Sequence, residues 1–234
     1  MIEAIIFDVG HTLVDYQNPL NWSSLYESAL SYMYQSCKLP YSKESLNTGA
    51  VILAKYNTRV NPRLQEVSCN QIFTEIFEAT QTDRKKIHLA IDAFFDYFQN
   101  GAVLFPEVKE TVKQLKEKQI KIGVLIDVAY GMDRDRAFAD FSELGEDIDI
   151  WATSVDIGYR KPHPNGFRYF LEIWNISQEN VAYIGDEEKD MIGANEVGII
   201  SILMNRSQVN KKYNQDYTIH DLKELLMIID KISI

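Results

Sequence analysis

What the chain has little of sets the first limits. Cysteine occurs only twice in 234 residues, as Cys37 and Cys69, with no paired spacing. That excludes a disulfide framework and a cysteine-built zinc site, leaves the two thiols as packing residues, and suits a reducing cytoplasm. Positive charge is in deficit: 24 Lys and Arg stand against 34 Asp and Glu, for a net charge of −10. A protein of that sign does not grip phosphate backbones or anionic lipid, so no nucleic acid and no membrane is expected as a partner. A local positive site for a small anion stays open. Long hydrophobic runs are missing too; residues 122–126 and 199–204 are strand-length, far from the ~20 residues of a membrane span. The opening residues Met1-Ile2-Glu3-Ala4 have no basic region, so no secretory signal is expected. With 46% hydrophobic and 25% charged residues the composition is that of a globular protein, and the length lies between one and two domains.

From residue 100 onward, short apolar runs alternate with helical stripes. Residues 120–126, 148–153, 181–184 and 198–203 read as buried strands. Between them Val108, Val112 and Leu115 form one helical stripe, and Phe167, Phe170, Leu171 and Trp174 another at i, i+3, i+4, i+7. A last helix is expected after Asp221, a plausible N-cap, through Leu225, Leu226 and Ile229. A first strand covers residues 3–7. Strands alternating with helices imply right-handed crossovers and a parallel sheet covered on both faces. Residues 16–99 differ: Trp22, Leu25, Tyr26, Ala29, Leu30 and Met33 share one helical face, Ile72, Phe73, Ile76 and Phe77 a second, Ile87, Ile91, Phe94, Phe95 and Phe98 a third. The expectation is an all-helical insertion after the first strand of an α/β domain. Ligands of open parallel sheets bind beyond the carboxyl ends of the strands, so an insertion leaving from there would act as a lid. Residues 205–216 read as a loop.

Three short stretches could carry chemistry. Asp8 directly follows the first strand and is suited to act as nucleophile or metal ligand, or else simply forms the turn. Asp186 follows the strand at 181–184, and Asp190 lies one helical turn on, so both can face one ion; hard carboxylates suit Mg²⁺, while the alternative is a pair of acids complementing a helix dipole. Lys161, before Pro162, is either a point charge for phosphate or a solvated side chain.

In their order along the chain, these pieces resemble the haloacid dehalogenase-like hydrolase superfamily. The matching residues are Phe7-Asp8-Val9-Gly10-His11-Thr12-Leu13, then Lys161-Pro162, then Gly185-Asp186 with Asp190. The resemblance covers residues 1–15 and 100–234, whose fold it implies is a doubly wound, Rossmann-like parallel sheet; residues 16–99 match only as a helical cap in position and character. It further implies that Asp8 is the nucleophile, forming an aspartyl-phosphate that water hydrolyses, and that Lys161 offsets the crowded negative charge. Mg²⁺ would be held by Asp8, Asp186 and the backbone carbonyl of Gly10, with Asp190, the fourth metal-site residue, orienting its water shell. On the substrate side the candidates are Lys161, Asp127 and His11, and the substrate implied is a small phosphorylated metabolite.

Two positions depart from the family pattern. Phosphatases of the superfamily typically place a second Asp two residues after the nucleophile to protonate the leaving oxygen; here that residue is Gly10. General acid catalysis contributes ~10²–10⁴ in rate. The phosphate-binding Ser or Thr at the end of the second motif's strand corresponds to Ile126. Either His11 or Asp15 could supply a proton, or the leaving group could be one that needs little protonation. Two rival readings follow: a degenerate core that binds a phosphorylated ligand or protein without turnover, and a dehalogenase in which Asp8 displaces halide from carbon without metal.

Overall fold

The structure, a computed structural model, describes residues 1–16, 21–98 and 101–232. Its centre is a six-stranded, all-parallel sheet made of β1 (Ala4–Phe7), β4 (Lys121–Ile126), β5 (Ile150–Thr153), β6 (Val181–Gly185), β7 (Ile200–Met204) and β8 (Tyr217–Ile219), in the order β5-β4-β1-β6-β7-β8. β1 and β6 lie at the centre, and every residue of both is buried, as their unbroken apolar sequences require of strands covered on two faces. Along β1, Ile5 and Phe7 enter one apolar layer with Val112 and Leu115 of α5 (Val108–Glu117) and Leu225 and Ile229 of α10 (Lys223–Ile232). Ala4 and Ile6 enter the other, with Phe167 and Phe170 of α8 (Asn165–Trp174) and Met191 and Ala194 of α9 (Glu188–Val197). That alternation fixes the register, because a one-residue slip would exchange the two faces. The doubly wound fold expected from the sequence is therefore what forms.

Helix boundaries follow capping chemistry. Asp221 Oδ1 accepts a bond from the Lys223 N–H at the start of α10, at 2.7 Å. α8 and α9 end at Asn175 and Gly198, both left-handed. Two short helices, α6 (Arg134–Ala139) and α7 (Ser154–Ile157), follow the ends of β4 and β5.

Between β1 and α5 the described residues make four α-helices, α1 (Trp22–Ser36), α2 (Lys43–Tyr56), α3 (Cys69–Ala79) and α4 (Ile87–Phe98). Their inward residues form a third apolar cluster, into which Tyr130 packs from the loop after β4. α2 did not stand out in the sequence; its buried residues Gly49, Ile52, Leu53 and Tyr56 make a narrow stripe, and a Ser42–Ser45 capping box starts it. Cys37 is buried and Cys69 half-buried, both as free thiols. Where this insertion leaves and returns, β2 (Val14–Tyr16) and β3 (Ala102–Leu104) form a small antiparallel pair. These three-residue strands are too short for a period-two signal. The expected boundary between residues 99 and 100 lies outside the described residues. A second tie joins the segment after α2 to the core: Arg160 N–H donates to Leu64 O at 2.7 Å and Glu66 N–H to Gly158 O at 2.9 Å. Among the described residues no helix is long and apolar enough to cross a membrane.

Candidate active site

The strand order reverses between β1 and β6, since the chain builds outward through β4 and β5 before returning to lay β6 on the other side of β1. At such a switch point the carboxyl-end loops splay apart and leave a crevice. Asp8 follows β1 and Asp186 follows β6, so both reach that crevice. Asp190 returns to it from the first turn of α9, helped by Gly185: a Cβ there would lie 2.5 Å from the Asp190 carboxyl carbon. Oxygens of Asp8, Asp186 and Asp190 lie within 4.8 Å of one another.

Lys161 meets them from the loop before α8. Its ammonium is buried, 2.5 Å from Asp8 Oδ1, 2.7 Å from Asp190 Oδ1 and 2.8 Å from the Tyr183 hydroxyl. Tyr183 in turn donates to Asp190 Oδ1 at 3.1 Å, and the Glu187 N–H donates to Asp190 Oδ2 at 3.0 Å. Asp190 thus has both oxygens engaged. Asp186 differs: among the described residues no donor bonds its carboxylate, and Asp8 Oδ2 and the Gly10 carbonyl are equally unengaged.

Three carboxylates against one ammonium leave two uncompensated negative charges, the charge of one divalent cation. The electrostatics register that crowding. Burial, with the Asp190 and Asp186 charges adding to it, pushes Asp8 up to about 7 although Lys161 opposes the rise. Burial and Asp190 lift Asp186 to about 6. For Lys161 burial disfavours the charge, but Asp190 and Asp8 outweigh it and hold the ammonium well above its ordinary range. A set of hard, partly unpartnered oxygens with this deficit fits Mg²⁺.

The remaining expected residues take varied places. Asp127, at the end of β4, is buried with its oxygens toward the Lys161 N–H (3.1 Å), Lys189 Nζ (3.0 Å) and the Arg160 guanidinium (3.9 Å). These cations more than offset its burial and hold it ionised below the usual carboxylate range. An acid so engaged meets a phosphate only across a cation, and Lys189 is the nearest. His11 is exposed, edge-on to the Tyr16 ring at 5.9 Å, and bonds none of the three carboxylates. Gly10 leaves room that Tyr16 borders: a Cβ there would meet the Tyr16 ring at 3.4 Å, and the Tyr16 hydroxyl donates to Asp140 at 3.0 Å. Ile126 keeps an apolar side chain packed against the core. Sequence reasoning passed over Tyr183, whose place in a wholly buried strand gave it an apolar reading, and Lys189, whose position between Asp186 and Asp190 was a signal available in the sequence. It also passed over Glu66, which pairs with Arg160 and accepts from Ser154 Oγ at 2.5 Å.

Against known proteins, the family profile described as "Hydrolase: haloacid dehalogenase-like hydrolase" matches residues 2–198. The pyrophosphatase PpaX of Bacillus mycoides is 26% identical over 133 residues, 55% of this chain and 61% of that protein. The glyceraldehyde 3-phosphate phosphatase of Methanocaldococcus jannaschii is 29% identical over 135 residues, 55% of this chain and 58% of that one. Both matches thus span about six-tenths of the relative's length. Among solved structures, a 2-haloacid dehalogenase from Pseudomonas syringae superposes with a TM-score of 0.72 at 20% identity, covering 99% of each chain, a likeness of fold.

Proposed function

The chain belongs to the haloacid dehalogenase-like hydrolase family, and on that premise we propose that this hydrolase cleaves small phosphomonoesters with Asp8 as nucleophile and Mg²⁺ as cofactor. The observation that carries the reading is the buried Lys161 ammonium joined to both Asp8 and Asp190, with Asp186 beside them and unpartnered. Asp8 attacks phosphorus, the ester oxygen leaves with its electron pair, and an aspartyl-phosphate forms; water then attacks that phosphorus and frees Asp8. Lys161, fixed by Asp190 and Tyr183, stays charged throughout and stabilises charge on the phosphoryl oxygens. Asp8, Asp186 and the Gly10 carbonyl would hold Mg²⁺, with Asp190 orienting its water shell, and the ion when bound supplies positive charge to phosphoryl oxygens. The metal-free displacement of halide has no use for an unpartnered Asp186, which favours the phosphatase reading over the dehalogenase one.

No acid stands at Gly10, so the proposed enzyme prefers leaving groups that need little protonation. Two thiols without a disulfide support a cytoplasmic place, and the buried Lys161 ammonium, a local positive site in an acidic chain, supports a small phosphorylated metabolite as substrate.

The test is phosphate release from an aryl phosphate with and without Mg²⁺, for the parent and Asp8→Asn. Metal-dependent release, lost in the variant and rising steeply across a panel of esters as leaving-group pKa falls, is the expected result. A folded, metal-loaded parent that releases nothing would leave the core as a phosphate-ligand or protein-binding module.

A further inference from the structure

Beside the carboxylate cluster, and sharing Asp186 with it, lies a cavity of about 360 Å³ between the turn after β1, the residue after β3 and the loop after β7. That is the small end of ligand pockets, which run roughly 300–1,000 Å³. His11, Asp15, Phe105, Asp186, Arg206 and Lys211 are among its walls. The cations around the site differ in what they already hold. Lys161 is paired with Asp8 and Asp190, Lys189 with Asp127 and Glu187, and Arg160 with Glu66. Arg206 is paired with Glu107 at 2.7 Å, lies 3.5 Å over the Phe105 ring, and donates to the carbonyls of His11 and Thr12. It builds the wall and has little left to offer a ligand.

Lys211 is different. Among the described residues no carboxylate lies within ion-pair distance of it, and its one hydrogen bond runs to the Asp186 carbonyl at 3.1 Å. An ammonium has three donors, so two remain. The side chain is half-buried, and its charge acts on the Asp186 carboxylate only from beyond ion-pair distance, so its remaining donors are open to a ligand. Asp15, the wall's other carboxylate, is exposed to water and makes no ion pair with it.

The geometry points to this cavity as a subsite for a second anionic group on the substrate, with Lys211 as the residue that recognises it and so determines specificity. The inference rests on the phosphatase reading for the place of the reacting phosphoryl and deepens it by naming the substrate class. Because Asp186 borders both spaces, that class is a compact phosphate compound with a further phosphate or carboxylate close to the transferred phosphorus. Where the second group is a phosphate joined directly to the transferred one, the departing oxygen is weakly basic and needs less of the acid missing at Gly10.

Binding of non-hydrolysable mimics tests this without turnover. In Mg²⁺, methylenediphosphonate, phosphonoacetate and methylphosphonate are titrated into the parent, Lys211→Met and Lys211→Arg, with melting midpoints as the check on folding. The expected result is that the parent binds one of the two mimics with a second anionic group at least about tenfold tighter than methylphosphonate, that Lys211→Met removes most of that preference, and that Lys211→Arg keeps it. Preference for the diphosphonate names a phosphate as the second group; preference for phosphonoacetate names a carboxylate. Equal affinities in the parent, or a preference that survives Lys211→Met, overturns the proposal. If Lys211→Met fails to fold, Lys211→Gln takes its place and is read against the same outcomes. A protein that hydrolyses aryl phosphate yet shows no preference loses only the subsite, whereas one that binds selectively without hydrolysis loses only the phosphatase reading.

Discussion

Around Lys161 the neighbours are Asp8, Asp190 and a tyrosine hydroxyl, each within 2.8 Å of one buried ammonium. Around Phe94, in the helical insertion, the neighbours are rings: Trp22, Phe73, Phe95, Phe98 and Tyr130, with centroids 5.1–6.4 Å away. The Lys161 side chain and Phe94 are both buried, yet they are held by opposite physics. The rings gain by leaving water and are tolerant of small shifts. Charges at the rim lose by leaving water and stay only because each meets a counter-charge. A substitution therefore reads differently in the two regions, and the sharpest contrast comes at Asp8. Asp8→Asn removes the proposed nucleophile, and loss of a nucleophile costs on the order of 10³–10⁶ in turnover. It also removes a buried charge, so the melting midpoint is expected to hold or rise. A variant that loses activity by unfolding would break the comparison.

Removing a partner rather than the nucleophile tests the other side. Lys161→Met leaves Asp8 and Asp190 buried without their counter-ion, which costs about 3–5 kcal/mol. Phe94→Ala leaves a cavity among the rings, at a similar ~3–5 kcal/mol. Denaturant titrations should give comparable losses, but Mg²⁺ should stabilise Phe94→Ala only as much as it stabilises the parent and Lys161→Met by more, since there a cation also stands in for the ammonium. Equal responses to Mg²⁺ would mean that the rim is not held together by charge.

The same contrast explains what could be read from the residues alone. Strand ends β1 and β6 were legible because an all-apolar run stopping at an acid, Ile6-Phe7-Asp8 and Ile184-Gly185-Asp186, is a local signal. Three helices of the insertion were legible for the same reason, since wide apolar stripes at helical spacing need no knowledge of what they face. α2 was not, because its stripe is narrow and its remaining face polar. Nor were the partners of Lys161: Tyr183 reads as core until the fold turns its hydroxyl toward the ammonium. Glu66 and Arg160 are 94 positions apart, and nothing local marks either as the other's counter-charge. Asp127 entered as a substrate-side candidate only through the family resemblance, and that three cations surround it depends on loops meeting in space.

Proton uptake separates the regions by a smaller margin. Asp8 holds its proton up to about 7 in the folded chain against an ordinary 3.8, and Asp186 up to about 6. Both values are raised, so these groups' contribution to stability is complete below about pH 4 and is lost as pH rises through 6 to 7. Without metal the protein should therefore melt lower at pH 8 than at pH 5. Binding a dication favours the ionised carboxylates, so Mg²⁺ should raise the melting midpoint more at pH 8 than at pH 5. At about a hundredfold excess over its dissociation constant the stabilisation is ~2.7 kcal/mol, or roughly 5–10 °C for a chain of this size. A pH-independent response to Mg²⁺ would place the ion away from these acids.

The smallest effect is expected where the two regions touch at the surface. Arg59, beyond α2, reaches Glu187 at 3.3 Å with its side chain 82% exposed. It is an ion pair in water, screened by salt and entropically loose, of a kind that contributes ~0.2–1 kcal/mol. Glu187 also keeps Lys189 at 2.7 Å when Arg59 is gone, so no buried charge is stranded. The junction itself rests elsewhere, on Glu66 against Arg160 and on the backbone bonds at Leu64 and Gly158. Arg59→Ala should thus leave the melting midpoint within about 2 °C of the parent at moderate salt, with the difference vanishing at 1 M salt, where the screening length falls to about 3 Å. A larger, salt-resistant loss would show that the insertion is anchored through its charged surface rather than through the buried Glu66–Arg160 contact.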